Sequence, residues 1–386
     1  MPSSPIRKLM PYANAAKASG KRVIHLNIGQ PDIATPEIAL SELKADTRTV
    51  VEYSPSEGYA SYRDGLSTYY KGAGIDVNAD DIVVTTGGSE ALVFGFMSCM
   101  DPGDEVIIPE PFYANYRGFA QMAGVKIVPV TATIEDGFEL PPISDFEKRI
   151  TPRTKAILIC NPGNPTGKVY APEAMDNLAQ IVRDNDLYLF SDEVYREFCY
   201  DGAVAKSVVQ LDGIENNVVL IDSVSKRYSM CGARIGAIVS RNKSIIQTAL
   251  KFSQSRLSPP TFGQLAAIEA LKTKKEYFQN VIAEYDKRRQ LLVSELNKIN
   301  GVKCPMPKGA FYCIAELPIK NAELFCQWLL EKFHLNHTTV MLAPANGFYS
   351  ARNTVHNQVR IAYVLESKKL KLATKIIKKA LENYQD

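Results

Sequence analysis

Long apolar runs, clustered metal-type side chains and an excess of charge of one sign are all missing from this sequence. In its 386 residues no apolar stretch approaches the roughly 18 that a membrane crossing needs, and no apolar segment follows a basic start. The expectation is a cytoplasmic protein with no membrane partner. Lys and Arg number 45 against 42 Asp and Glu, a formal net charge of +3, which is too small to favour nucleic acid or an anionic surface. The seven cysteines are odd in number and contain no Cys-x-x-Cys, so they read as reduced thiols. His334 and His337 form the only close histidine pair and lack other metal-type neighbours, so no metal site is expected. Repeats and low-complexity tracts are absent.

What is present is enough apolar residue, 46% of the chain, for one large core with a smaller one appended. Met1 to about Thr35 reads as an N-terminal arm that packs on the small domain or a partner subunit. From Pro36 to Thr273, apolar runs at 82–86, 105–109, 126–130, 156–160, 187–191, 218–222 and 235–239 alternate with helical patterns such as 112–123 and 171–183. That alternation predicts an α/β sheet covered on both faces. The charged stretch Lys274 to Asn300, nearly free of Gly and Pro, predicts one connecting helix. Short strands and helices over 321–332 and 366–383 follow, as in a smaller α+β domain. No appended DNA-binding segment is expected before the arm or after Asp386.

Chemistry concentrates where apolar runs end. After Val218-Val219-Leu220-Ile221 comes Ser223-Val224-Ser225-Lys226, with Arg234 eight residues beyond Lys226. A lysine desolvated at the mouth of a sheet suits Schiff-base chemistry on a carbonyl, and two hydroxyls with an arginine suit a phosphate. After Ile157-Leu158-Ile159-Cys160 comes Asn161-Pro162-Gly163-Asn164-Pro165-Thr166-Gly167, a rigid turn that presents the Asn164 amide as a donor. After Leu187-Tyr188-Leu189-Phe190 come Asp192 and Tyr195; a buried Asp192 requires a cation, and a protonated pyridine nitrogen is one. After Ile82-Val83-Val84 come Gly87-Gly88-Ser89 and the start of a helix, where free N–H groups form an anion site. Together these four junctions point to pyridoxal phosphate.

These residues resemble the fold-type I, class I/II pyridoxal-phosphate aminotransferases, near the aspartate aminotransferase group, over essentially the whole chain. The resemblance implies a large domain with a mostly parallel seven-stranded sheet between helices, plus a smaller α+β domain. It implies Lys226 as the covalent anchor of the cofactor. Arg234, Ser223, Ser225, Gly88 and Ser89 fall on its phosphate site, and Asn164, Asp192 and Tyr195 on its ring site. Tyr113 in Pro111-Phe112-Tyr113 takes the place of the ring stacker, often Trp in the family. Arg360 in Val359-Arg360-Ile361 matches the arginine that holds the substrate α-carboxylate, and Gly29 in Asn27-Ile28-Gly29-Gln30-Pro31-Asp32 the glycine that lets backbone approach it. Tyr53 resembles the tyrosine that reaches the neighbouring subunit's phosphate, which implies a homodimer with shared sites.

The implied reaction is ping-pong transfer of an amino group from an L-amino acid to a 2-oxo acid. Lys226 acts as the base at Cα, and Asp192 keeps the ring nitrogen protonated. Aspartate with 2-oxoglutarate is the first expectation for substrates. Aromatic or branched-chain amino acids, and lyase chemistry on the same fold, are the alternatives. Arg256, in Ser255-Arg256-Leu257-Ser258-Pro259-Pro260, is the candidate cation for a distal carboxylate; the alternative is a surface arginine at a helix start.

Overall fold

The computed structural model describes residues 7–350 and 355–385. The strands in chain order are β1 (Arg22–His25), β2 (Ile82–Thr85), β3 (Glu105–Glu110), β4 (Lys126–Thr131), β5 (Thr154–Cys160), β6 (Tyr188–Asp192), β7 (Val218–Ser223), β8 (Gly236–Val239), β9 (Tyr312–Glu316), β10 (Thr338–Met341), β11 (Ala343–Pro344) and β12 (Gln358–Ala362). All seven apolar runs become strands of one sheet, in the order β2-β8-β7-β6-β5-β3-β4. Only β8 runs against its neighbours β2 and β7; the other pairs are parallel.

Strand residues alternate between two separate cores, because successive side chains leave a strand on opposite faces. Val83, Ile108, Leu158, Phe190, Val219 and Ile238 pack on one face. Val84, Ile107, Ile157, Leu189, Leu220 and Val239 pack on the other. The first core is closed by helices Gly87–Cys99 and Lys243–Arg256, the second by Ala60–Gly72, Pro172–Asp184 and Thr261–Ala270. A sheet buried on both faces needs uninterrupted Val, Ile and Leu, which is why the runs stand out in the sequence. Phe190 meets Phe96 edge-on at 5.4 Å, and burying a ring of this kind contributes roughly 1.5–3 kcal/mol.

The helix expected over 112–123 forms only at Tyr116–Met122. The Phe112 N–H is taken by the Phe348 carbonyl at 2.9 Å, and Ala114 and Asn115 form a turn ahead of the helix. Lys275–Asn297 is one continuous helix of 23 residues. Beyond it, β11-β12-β9 form an antiparallel sheet, with helices Ala322–Glu331 and Ser367–Asn383 near their expected positions. Strand β1 pairs in parallel with β10, and helix Met10–Ala18 packs on Ala322–Glu331. Among the described residues no helix is long and apolar enough to cross a membrane.

Candidate active site

The carboxyl ends of β3, β5, β6, β7 and β2 share one edge of the sheet, where ligands bind in open α/β folds. A cavity of about 560 Å3 opens there. Because β8 runs the other way, its start lies on this same edge, and Arg234 two residues earlier is delivered to the cavity.

Asp192 ends β6 and is buried. The Tyr116 hydroxyl donates to its Oδ2 at 2.7 Å, and the Val194 N–H to its Oδ1 at 3.4 Å. Burial pushes its pKa up to about 6, opposed by the Tyr116 and Val194 donors and reinforced by the nearby charges of Asp222 and Glu193. A carboxylate whose ionised form is disfavoured by burial is relieved by an adjacent cation. Asn164 Nδ2 donates to the Tyr195 hydroxyl at 3.4 Å, so two donors sit side by side on the wall. Tyr113 meets Tyr116 edge-on at 5.4 Å, and Asn115 Nδ2 donates to its hydroxyl at 2.8 Å. Burial pushes the Tyr113 phenol up to about 12.

Lys226 lies on the four-residue helix Val224–Arg227, whose cap Ser223 accepts from the Ser225 N–H at 3.1 Å. Its Nζ donates to the Gly29 carbonyl at 2.9 Å and reaches Cys231 Sγ at 3.6 Å. The buried Ser223 and Ser225 hydroxyls stand 2.8 Å apart. Gly87, at φ 76°, opens helix Gly87–Cys99 with Gly88 and Ser89 next in line. A Cβ at Gly87 would fall 2.5 Å from Arg234 Nη2, so the guanidinium lies against the helix start. Arg234 itself is left-handed at φ 56°, a conformation that costs a non-glycine residue energy and recurs at binding sites.

Arg360 is 2% exposed on β12. Its Nη1 donates to Asn164 Oδ1 at 3.0 Å and its Nη2 to the Asn27 carbonyl, both uncharged partners. Among the described residues its buried Nε has no partner. The guanidinium lies 4.6 Å from the Tyr312 ring centroid. Burial lowers its pKa, with the phenols of Tyr312, Tyr195 and Tyr113 opposing. A buried cation with spare donors and neutral partners is a seat for a carboxylate.

The family description "Aminotransferase class I and II" matches residues 21–377. The chain belongs to that family. An aspartate aminotransferase from Pyrococcus horikoshii is 32% identical, with 98% of this chain and 95% of that protein aligned. Aromatic-amino-acid aminotransferase 2 from Thermococcus litoralis is 31% identical, with 98% and 96% aligned. The solved aspartate aminotransferase of Thermotoga maritima superposes with a TM-score of 0.90 at 29% identity, covering 99% of this chain and 98% of that one.

In this aminotransferase, Gly29, Gly88, Ser89, Tyr113, Asn164, Asp192, Tyr195, Ser223, Ser225, Lys226, Arg234 and Arg360 all line one cavity. Two expected residues do not line it within the chain. Tyr53 is 78% exposed. Arg256 ends a helix instead of starting one; its Nη2 donates to the Val84 carbonyl at 3.2 Å, and its Nε lies 3.5 Å from Glu90. The sequence reading missed Tyr312, whose hydroxyl lies 2.9 Å from that of Tyr195. It also gives Gly29 a second purpose, since a Cβ there would fall 1.7 Å from the Tyr312 hydroxyl. Tyr116, Asn115 and Cys231 were missed as well. Tyr312 follows Gly309-Ala310-Phe311 in a stretch with no motif, so only the fold brings it to the site.

Proposed function

We propose that this aminotransferase moves the amino group of an L-amino acid, aspartate first, to 2-oxoglutarate, using pyridoxal 5'-phosphate. The carrying observation is one cavity that joins a primary amine, Lys226, to a buried acid, Asp192, and a buried, neutrally partnered cation, Arg360. The residues fit the cofactor. A Cβ on Gly236 would fall 2.5 Å from the Gly87 carbonyl carbon and 2.6 Å from the Gly88 nitrogen, so the helix start is pressed against β8 beside Arg234. That cradle has the charge and donors a phosphate requires. Asp192 suits a protonated ring nitrogen, and Asn164 and Tyr195 suit the ring oxygen.

When bound, the cofactor supplies an aldehyde for the amino group and a ring that withdraws electrons from Cα. Lys226 Nζ takes the Cα proton of the amino acid and, in the return half-reaction, restores one to the Cα of the oxo acid. Arg360 and the backbone of Asn27 to Gly29 orient the α-carboxylate, which fixes where the Cα–H bond points. Because the amino acid must leave as an oxo acid before the second substrate enters, the kinetics are ping-pong. The division into an arm to Thr35, a cofactor-binding body to Thr273 and a C-terminal unit from Lys274 belongs to the same reading. Its support is that the seven-stranded sheet ends at Val239, while β9, β11 and β12 form a sheet of their own.

Aspartate is favoured by what the Pyrococcus horikoshii and Thermotoga maritima relatives are named for. Arg7 lines the cavity and takes over from Arg256 as the cation open to a distal carboxylate. With 2-oxoglutarate as acceptor, aspartate should exceed alanine, leucine and phenylalanine in kcat/KM by about tenfold or more, the worth of one charge-assisted bond. A preference for phenylalanine would move the assignment to the aromatic enzymes. Ammonia or pyruvate released without an acceptor would mark a lyase.

A homodimer with shared sites is supported by the exposed segment Val50, Val51 and Tyr53, at 67%, 54% and 78%. Such apolar exposure suits a subunit contact. Tyr53→Phe should weaken cofactor binding about tenfold through loss of one hydroxyl donor. Mixing Tyr53→Phe with Lys226→Ala protomers should then restore activity at limiting cofactor, because each heterodimer gains one intact site. Sedimentation of a fully active monomer would remove the shared site.

A further inference from the structure

Arg288 lies on helix Lys275–Asn297, is 5% exposed, and is not among the residues that line the cavity. Its Nη1 donates to Asp32 Oδ1 at 2.6 Å and to the Val364 carbonyl. Its Nε donates to Glu284 Oε1, one turn back on the same helix, at 2.8 Å. Asp32 follows Gly29 by three residues, and Val364 follows Arg360 by four. One guanidinium therefore fastens the chain just beyond each half of the α-carboxylate seat. The near ends are already joined, since the Ala362 N–H donates to the Leu26 carbonyl at 2.8 Å and Arg360 donates to the Asn27 carbonyl. Leu26 to Asp32 and Arg360 to Val364 thus form two jaws, tied at one end by the Ala362–Leu26 and Arg360–Asn27 bonds and at the other by Arg288.

We infer that Arg288, through Asp32 and Val364, is a positioning residue that sets the spacing of Gly29 and Arg360 and so governs affinity for the α-carboxylate of every substrate. The inference rests on the reading of Arg360 as the carboxylate clamp. Nη1 bonds an acceptor on each segment while Nε is held by Glu284, a planar fork of donors that the single ammonium of a lysine does not reproduce. When the fork is lost the jaws are joined only at one end, and the carboxylate pays the cost of closing them. Lys226 and Asp192 stand on other elements, and Lys226 meets the jaws through the Gly29 carbonyl, three residues short of Asp32, so the larger effect falls on carboxylate binding and the smaller on proton transfer at Cα.

The test uses the cofactor-loaded, full-length enzyme with Arg288→Lys and Asp32→Asn. Asp32 is 32% exposed in its ion pair, so the second variant loosens the same clamp without opening the core. Both should raise KM for the amino acid and for the oxo acid about tenfold, with kcat held within about twofold. The visible spectrum of the bound cofactor should be unchanged. Benzylamine, an amine with no α-carboxylate, should react in a single turnover at the wild-type rate, and the double variant should be no worse than the weaker single one. Unmoved KM values in both variants, or benzylamine slowed as much as the amino acid, would overturn the inference. Arg360→Lys run alongside separates the two layers. If it leaves KM unmoved, the clamp reading itself falls and the inference with it. If it raises KM while the Arg288 and Asp32 variants do not, only the inference falls.

Discussion

Lys226→Ala should give a folded protein that binds pyridoxal phosphate without a covalent bond and turns over slower by several orders of magnitude. The fold should survive because Lys226 is half-buried at the cavity and, among the described residues, its side chain bonds the Gly29 carbonyl and Cys231 Sγ alone. The helix that carries it is held instead by the Ser223 cap and by Arg227, which bonds Glu197 at 2.8 Å and Asp222 at 2.5 Å from a fully buried position. Function should not survive, because one amine is both the anchor and the carrier of the Cα proton. Loss of a positioned base alone costs roughly 10²–10⁴ in rate, and loss of the anchor adds to it. The measurement is the absorption spectrum of the purified variant after bound amines are removed, together with Cα–H exchange of the donor. An unchanged lysine-bonded absorption band would show that another amine holds the cofactor.

The sheet was legible because its strands are buried on both faces, and burial of that kind leaves continuous runs such as Val218-Val219-Leu220-Ile221 that no amphipathic element mimics. The chemistry at strand ends was legible for a related reason. Asn164, Asp192 and Lys226 each follow such a run by a few residues, so the end of an apolar run marks the cavity edge. Arg234 is different in kind. Its delivery to that edge depends on β8 running antiparallel, and nothing in Gly236 to Val239 encodes a direction; only the motif resemblance placed it. Tyr312 and Tyr116 were hidden because their partners, Gly29, Tyr195 and Asp192, are remote in sequence, and a long-range contact leaves no local period. The alternative reading of Arg256, a surface arginine at a helix start, misjudged a helix boundary. The helix runs from Lys243 and ends at Arg256, whose side chain turns to the Val84 carbonyl on β2 and to Glu90.

Asp192→Asn should retain the fold, bind the cofactor more weakly and slow Cα–H exchange by roughly 10²–10³, the usual loss when one preorganised electrostatic group is removed. Asparagine keeps an oxygen for the Tyr116 hydroxyl, so the packing is unchanged while the charge is gone. The pH dependence gives the assignment a second reading. In the cofactor-free protein, burial lifts Asp192 to about 6 from the ordinary aspartate value of 3.8. Between those values the folded chain binds more protons than the unfolded one, so this group makes stability fall as pH rises from about 4 to about 6. Cofactor affinity should run the opposite way, rising through the same upper limit as Asp192 ionises and meets the ring cation. Both slopes should vanish in Asp192→Asn and shift to higher pH in Tyr116→Phe, which removes the donor that favours the ionised form. Denaturant unfolding of the cofactor-free proteins at pH 4 and 7 checks the first slope, and equilibrium cofactor titration from pH 5 to 7 the second. Exchange at the wild-type rate in Asp192→Asn, or the wild-type slopes retained there, would mean that the ring nitrogen is held by some other group.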